Sequence, residues 1–238
     1  MAGIRVLDFE TTGIEPPAEV CEVGFCDVTT EGQGDWQIGQ PVARLCRVQA
    51  MPPEVRAVHH ITLAECQPFP TFDANGFVAD LRGCSVIAAH NAEFEAQWLP
   101  KGGAVPLLCT YKAALRVWPE APGHSNGVLR YWLEDQGLID LEHAKAIPPH
   151  RAGPDAYVTA HILKALLVQV TARQMVAWTE EPKLLPTCPI GGEWRGKPWS
   201  VVDAGFLRWM LNSATMESDL KWNAQCELDR RVSKCAPA

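Results

Sequence analysis

Ile4-Arg5-Val6-Leu7-Asp8-Phe9-Glu10-Thr11-Thr12-Gly13 starts as an apolar run, ends in a Thr-Thr-Gly break and carries two carboxylates near its exit. Side chains alternate along a β-strand, so Asp8 and Glu10 project from one side and Phe9 from the other. Two neighbouring acids repel, and nothing in folding rewards that arrangement; a divalent cation does. The plainer explanation is a polar strand end meeting water, and the acid pair alone does not separate the two. Its position says more. The apolar strand before the acids has the character of the centre of a sheet, and sites are built on the loops that leave such strands.

Outward from this stretch, residues 20–28 and 37–48 read as two further strands, joined by the Pro16-Pro17 break and by the turn Glu31-Gly32-Gln33-Gly34. Three consecutive strands with short connections suggest an antiparallel meander. Short buried strands are expected at 85–89 and 107–110. Helices are expected at 52–58, 72–81, 92–99, 111–118, 126–136 and 154–171, the last with Val158, Ile162, Ala165 and Leu166 at helical spacing. Strands followed by alternating strands and helices give an α/β class around one mixed sheet. Residues 1–172 form the expected main domain and 173–182, with Thr179-Glu180-Glu181-Pro182, a linker. The rest, 183–238, is a small Trp-rich extension, with a hairpin expected over 187–202 around Gly191-Gly192 and helices at 204–212 and 217–231.

Composition narrows the class. With 47% hydrophobic and 21% charged residues over 238 positions, the chain is globular rather than disordered. No run approaches the ~18 apolar residues of a membrane helix, and the N-terminus lacks a basic region followed by an apolar core, so no secretory signal is expected. Nine cysteines, odd in number and without C-x-x-C pairs, read as reduced thiols of a cytoplasmic protein; Cys21 and Cys26 lack partners for a zinc site. A net charge of −7 excludes holding nucleic acid by bulk charge. Such a partner needs a local basic patch or bound cations.

Two further stretches gather polar residues. His90-Asn91-Ala92-Glu93-Phe94-Glu95 follows the expected strand at 85–89, and His150-Arg151-Ala152-Gly153-Pro154-Asp155 leads into the longest helix. Pro154 suits a first helical turn, where the helix dipole favours an ionised Asp155. Ordinary capping explains Asp155 equally well, and a surface loop explains His150. Together, Asp8-Phe9-Glu10-Thr11-Thr12-Gly13, His90-Asn91-Ala92 with Glu95, and His150-Arg151-Ala152 with Asp155 resemble the three motifs of the DEDDh (DnaQ-like) 3′→5′ exonucleases, in the same order and at similar separation. Within that family the chain resembles the bacterial exonuclease X group. Thr110-Tyr111-Lys112, Leu115-Arg116-Val117-Trp118-Pro119, Gly192-Glu193-Trp194-Arg195-Gly196-Lys197 and Gly205-Phe206-Leu207-Arg208-Trp209-Met210 extend the likeness to about residue 212.

The resemblance implies a ribonuclease H-like fold: a mixed five-stranded sheet flanked by helices. It implies two Mg²⁺ ions (or Mn²⁺) about 3.5–4 Å apart, held by Asp8, Glu10, Glu95 and Asp155, with His150 as general base. The family usually has Asp where this chain has Glu95; the longer side chain displaces the carboxylate unless the helix shifts to compensate. Thr11, Thr12 and Ile14 should frame the terminal nucleotide, and Asn91 should touch backbone phosphate or tie its turn. His59-His60-Ile61-Thr62 resembles a His-Gly-Ile-Thr segment, so His60 replaces a glycine and either narrows the entrance or is structural. Trp194, Arg195, Lys197 and Trp199 pair aromatics with cations, as single-strand binders do, or else form the core and solvated rim of a small subdomain. The expected activity is release of nucleoside 5′-monophosphates from DNA 3′ ends in repair or end processing. The alternatives are RNA trimming, polymerase proofreading, and a catalytically impaired nucleic-acid-binding module.

Overall fold

A computed structural model of the chain describes residues 2–32, 34–81, 83–101 and 105–235. Six strands form one mixed sheet: β1 (Ala2–Thr11), β2 (Val20–Thr30), β3 (Trp36–Ile38), β4 (Val42–Leu45), β5 (Cys84–Ala89) and β6 (Leu107–Cys109). The order is β3-β2-β1-β5-β6, with β4 also paired to β2. β1 runs antiparallel to β2 and parallel to β5, so it lies inside the sheet, as its apolar run suggested. The five strands expected become six because the third is interrupted. β3 and β4 pair with successive parts of β2, and between them sit Gly39 and Pro41. Proline has no N–H to give a ladder, while the Gly39 N–H reaches Asp27 O at 2.8 Å.

The helices are α1 (Pro53–His59), α2 (Leu63–Cys66), α3 (Ala74–Ala79), α4 (Thr110–Val117), α5 (Asn126–Asp135), α6 (Ala152–Gln169) and α7 (Ala172–Glu180), followed by α8 (Ala204–Asn212) and α9 (Ser218–Cys235). One helix expectation is corrected. Residues 92–99 are not an α-helix but a chain of turns with one 3₁₀ turn at Glu95–Gln97. Between Asn91, in the left-handed region (φ 68°), and Pro100 the segment makes mostly short i→i+3 bonds, such as Trp98 N–H to Glu95 O at 3.1 Å, and one helical i→i+4 bond, Ala96 N–H to Ala92 O at 3.0 Å. The linker expected over 173–182 is largely helix α7, which buries Met175 and starts where Thr171 Oγ1 accepts the Gln174 N–H.

The chain divides into two compact units, residues 1–113 with 121–179, and residues 114–120 with 180–238. In the first, one sheet face packs an aromatic cluster in which Phe9 meets Phe72 at 5.1 Å and Phe77 lies 6.1 Å from Phe25. On that face Arg5, only 1% exposed, lies over Phe25 at 4.3 Å and forks onto Asp27 at 2.7 and 2.8 Å. The other face carries α6, rich in buried alanine and leucine. The second unit is built on Cys188, Trp199, Val202, Leu207, Met210, Leu220 and Ala224. Asp203 caps α8 by accepting the Gly205 and Phe206 N–H groups. The hairpin expected over 187–202 reduces to one bridge, Thr187 to Pro198, with 3₁₀ turns at Gly192–Trp194 and Trp199–Val201. Among the described residues, no helix is long and apolar enough to cross a membrane.

Candidate active site

The register of β1 against β2 builds the site. Asp8 faces Gly24 and Glu10 faces Glu22 across the ladder. A Cβ on Gly24 would lie 2.0 Å from the Ala152 carbonyl carbon, so only glycine lets the start of α6 rest on β2 here. That approach carries Asp155, in the first turn of α6, to the two strand acids. One oxygen each from Asp8, Glu10 and Asp155 lies within 4.8 Å of the others. Glu95 joins from the turn after β5; it is 3% exposed, and its Oε2 is buried with no hydrogen-bond partner.

Electrostatics mark the cluster as incomplete by itself. Burial, then repulsion from Asp155, Glu95 and Glu10, holds the Asp8 carboxyl well above the usual range. Burial, with Asp155 and Glu22 nearby, pushes Glu10 up to about 8, against the pull of Arg151. Burial also takes Glu95 up to about 8 and raises Asp155, which His150 partly offsets. The donors are all carboxylate oxygens, the set that hard divalent cations select, and the orphaned Glu95 oxygen faces the same need for positive charge. The residues fit a centre for a hard divalent cation.

His150 sits in the left-handed region (φ 58°), and its backbone N–H donates to Asp155 Oδ2 at 2.9 Å. With Asp155 it lines a cleft of about 680 Å³ whose walls include the exposed apolar side chains Val128, Tyr131 and Ile147. Asn126, at the start of α5, donates to Asp155 O at 3.1 Å and Thr159 Oγ1 at 2.9 Å, and its own Oδ1 is buried without a partner.

A second constellation went unread in the sequence. Glu22, 1% exposed, accepts Arg151 Nε at 2.9 Å, Arg151 Nη2 at 2.5 Å and the Ala152 N–H at 2.9 Å. This fork ties β2 to the first residue of α6, between His150 and Asp155. The available signal was an acid in the apolar first half of a strand, two positions before a glycine.

The expected substrate contacts are distributed as follows. Thr11 is buried and donates to Gly13 O at 2.6 Å; Thr12 Oγ1 accepts the Glu19 N–H at 2.9 Å. Both shape the loop on which Ile14 stands 77% exposed, directly after Glu10. Asn91, exposed with φ 68°, leaves the end of β5. His60 (φ 61°) caps α1, so the place of the family's glycine is a left-handed backbone position. His59 is buried and structural, its Nδ1 accepting the Ile61 N–H at 3.0 Å. Trp194, Arg195 and Lys197 belong to the second unit, where Lys197 Nζ lies 5.1 Å from the Trp194 ring centre and Arg195 Nε donates to Pro189 O.

Comparison with known proteins bears on the family and the fold. A family model described as Exonuclease, of RNase T type, matches residues 6–163. The solved structure of exonuclease X in complex with 5′-overhanging duplex DNA is 29% identical and superposes with a TM-score of 0.59, covering 74% of this chain and 99% of that one. A structure of exonuclease I, 15% identical, covers 91% of this chain and 61% of its own with a TM-score of 0.54, a likeness of fold. A Mycobacterium tuberculosis (strain CDC 1551 / Oshkosh) protein whose name describes a bifunctional exonuclease/endonuclease is 28% identical over 199 residues, 76% of this chain. The chain spans 29% of that curated relative's length. With the family model lying over Asp8, Glu10, Glu95, His150 and Asp155 alike, the chain belongs to the DnaQ-like exonuclease family of nucleases.

Proposed function

We propose that the chain is a divalent-metal-dependent 3′→5′ exodeoxyribonuclease of the cytoplasm that releases nucleoside 5′-monophosphates from DNA 3′ ends, in repair or end processing. The observation that carries this reading is the convergence of Asp8, Glu10 and Asp155 within 4.8 Å, with the unpartnered oxygen of Glu95 beside them. Two bound Mg²⁺ or Mn²⁺ ions would supply charge relief on the phosphate and a more acidic water. Asp8, Glu10 and Asp155 would hold them directly, and Glu95 would support the set from its buried turn. His150 accepts the proton of the attacking water at a ring nitrogen, and its loop position beside the cleft leaves that ring accessible. Asp155 fixes the His150 backbone through the 2.9 Å hydrogen bond, so metal ligand and base are positioned together.

Thr11, Thr12 and Ile14 would frame the terminal nucleotide, with Ile14 as an apolar wedge against the neighbouring base. Asn91 and His60 would border the same approach. DNA is the favoured polymer because the exonuclease X structure similar to this chain is a complex with DNA.

The test is a time course on matched DNA and RNA strands labelled at the 5′ end. A DNA ladder shortening from the 3′ end in Mg²⁺, and abolished by EDTA, is expected. Shortening of RNA alone would move the assignment to RNA trimming, and binding without shortening would leave an impaired binding module.

A further inference from the structure

The second unit carries an aromatic row that runs from its core to the surface: Trp194 and Phe206 are half-buried against the core, and Trp209 stands exposed. Phe206 and Trp209, one turn apart on α8, stack at 5.2 Å with their planes 30° apart. Trp209 is 54% exposed although Leu207 and Met210, on the same helix, are fully buried. Trp194 continues the row, 6.4 Å from Phe206, with the Lys197 ammonium 5.1 Å from the Trp194 ring centre. The row is built rather than accidental. Gly191 (φ 82°) has no side chain, and a Cβ there would lie 2.3 Å from Phe206 Cζ, so the turn is shaped to admit the ring.

Charge indicates what covers this face. Residues 180–238 contain eight acids and eight Lys or Arg residues, so the whole −7 of the chain falls on residues 1–179. Next to the aromatic residues in sequence lie Arg195, Lys197 and Arg208, with two carboxylates, Glu193 and Asp203. Asp203 is engaged as the cap of α8. A purely apolar partner has no use for a cation over a ring, whereas a polyanion with flat rings uses both the rings and the cations. Successive bases stack on aromatic side chains while cations follow the backbone, without sequence preference.

We propose that Trp194, Phe206 and Trp209, with Lys197 and Arg208, form a stacking platform for single-stranded nucleic acid in the second unit. The proposal rests on the nuclease reading above but concerns a different surface, and the platform holds strand that is not being cut.

The experiment measures binding of the full chain in EDTA to a fluorescein-labelled oligothymidylate by anisotropy, beside hydrolysis of the same strand and of a dinucleotide in Mg²⁺. Wild type should bind the oligonucleotide. Trp209→Ala should weaken binding about fivefold to a hundredfold, with Trp209→Phe restoring most of it, while thermal melting remains cooperative. Lys197→Ala and Arg208→Ala should each reduce the slope of log affinity against log salt by about 0.7. The preference for the long strand over the dinucleotide should fall in the same variants. Wild-type affinity in Trp209→Ala overturns the platform, as does failure of wild type to bind in EDTA. A change of oligomeric state in Trp209→Ala at unchanged oligonucleotide affinity also overturns it, reassigning the face to a second copy. If the platform fails while the dinucleotide is still hydrolysed, the nuclease reading stands; if nothing is hydrolysed, that reading falls independently.

Discussion

At the scale of single residues, Glu95 and the Glu22–Arg151 fork carry the sharpest tests. Glu95 is buried with one oxygen unpartnered, and its carboxyl is lifted to about 8. Replacing it by glutamine keeps the shape and removes the charge, so activity in Mg²⁺ should fall by about a hundredfold, the upper range for a group that supports metal ligands. Glu95→Asp restores the length usual in the family and should stay within about tenfold of wild type, with a changed Mg²⁺/Mn²⁺ ratio. Severe loss in the aspartate variant beside full activity in Glu95→Ala would show that the residue is misplaced. Arg151 acts through Glu22, so it is a positioning residue. Arg151→Lys keeps a charge but loses the planar fork and should lower kcat by about tenfold with KM little changed. Glu22→Gln should mimic it, and a KM effect alone would contradict that role. The acids were legible because carboxylates on one strand face and at a helix start stand out against apolar neighbours. The fork was not: its partners are 129 residues apart, and their meeting depends on the Glu10–Glu22 register, which the pattern of β2 does not reveal.

At the scale of elements, the site depends on how closely α6 lies on β2. Gly24→Ala would drive a methyl group into the Ala152 backbone, which is not the movable end of a side chain. A destabilisation of about 3 kcal/mol is expected, or a Tm lower by roughly 6–12 °C for a chain of this size. Activity should fall further than folding, because His150 and Asp155 both move with the start of α6. An unchanged Tm would mean that helix and strand are farther apart than described. The opposite sign is expected at the end of α1, where His60 holds a left-handed φ of 61°. His60→Gly removes the Cβ penalty and should stabilise by about 1 kcal/mol. The α/β order, the meander and the long α6 were legible because their hydrophobic periods are long and uniform. Residues 92–99 were misread because helical spacing of apolar residues does not report the tight turn imposed by Asn91 and Pro100. Residues 172–180 are helical, anchored by the buried Met175, where the charged Thr-Glu-Glu-Pro end suggests a linker.

At the scale of the whole molecule, the acid cluster links stability to both pH and metal. In the metal-free chain Glu10 and Glu95 titrate at about 8 instead of 4.5, and Asp8 and Asp155 are also raised. A folded-state value above the unfolded one means that the native chain binds more protons between those limits. The stabilisation is fully present below about pH 4.5 and is lost as pH rises through about 8. In EDTA, then, Tm should decline by roughly 5 °C or more across that window, opposite to the behaviour of carboxylates held by ion pairs. Divalent cations take the place of those protons, and binding to the native state alone raises stability by mass action. Millimolar Mg²⁺ should therefore raise Tm strongly near pH 8 and weakly near pH 5, where protons compete for the same oxygens. Asp8→Asn removes the most heavily loaded carboxyl, and should flatten the decline in EDTA while abolishing most of the Mg²⁺ response. Scanning calorimetry over pH, with and without metal, reads both effects without any nuclease assay. A Tm in EDTA that rises from pH 5 to pH 8, or a Mg²⁺ response equal at both, would mean that these four side chains do not share one charge-deficient centre.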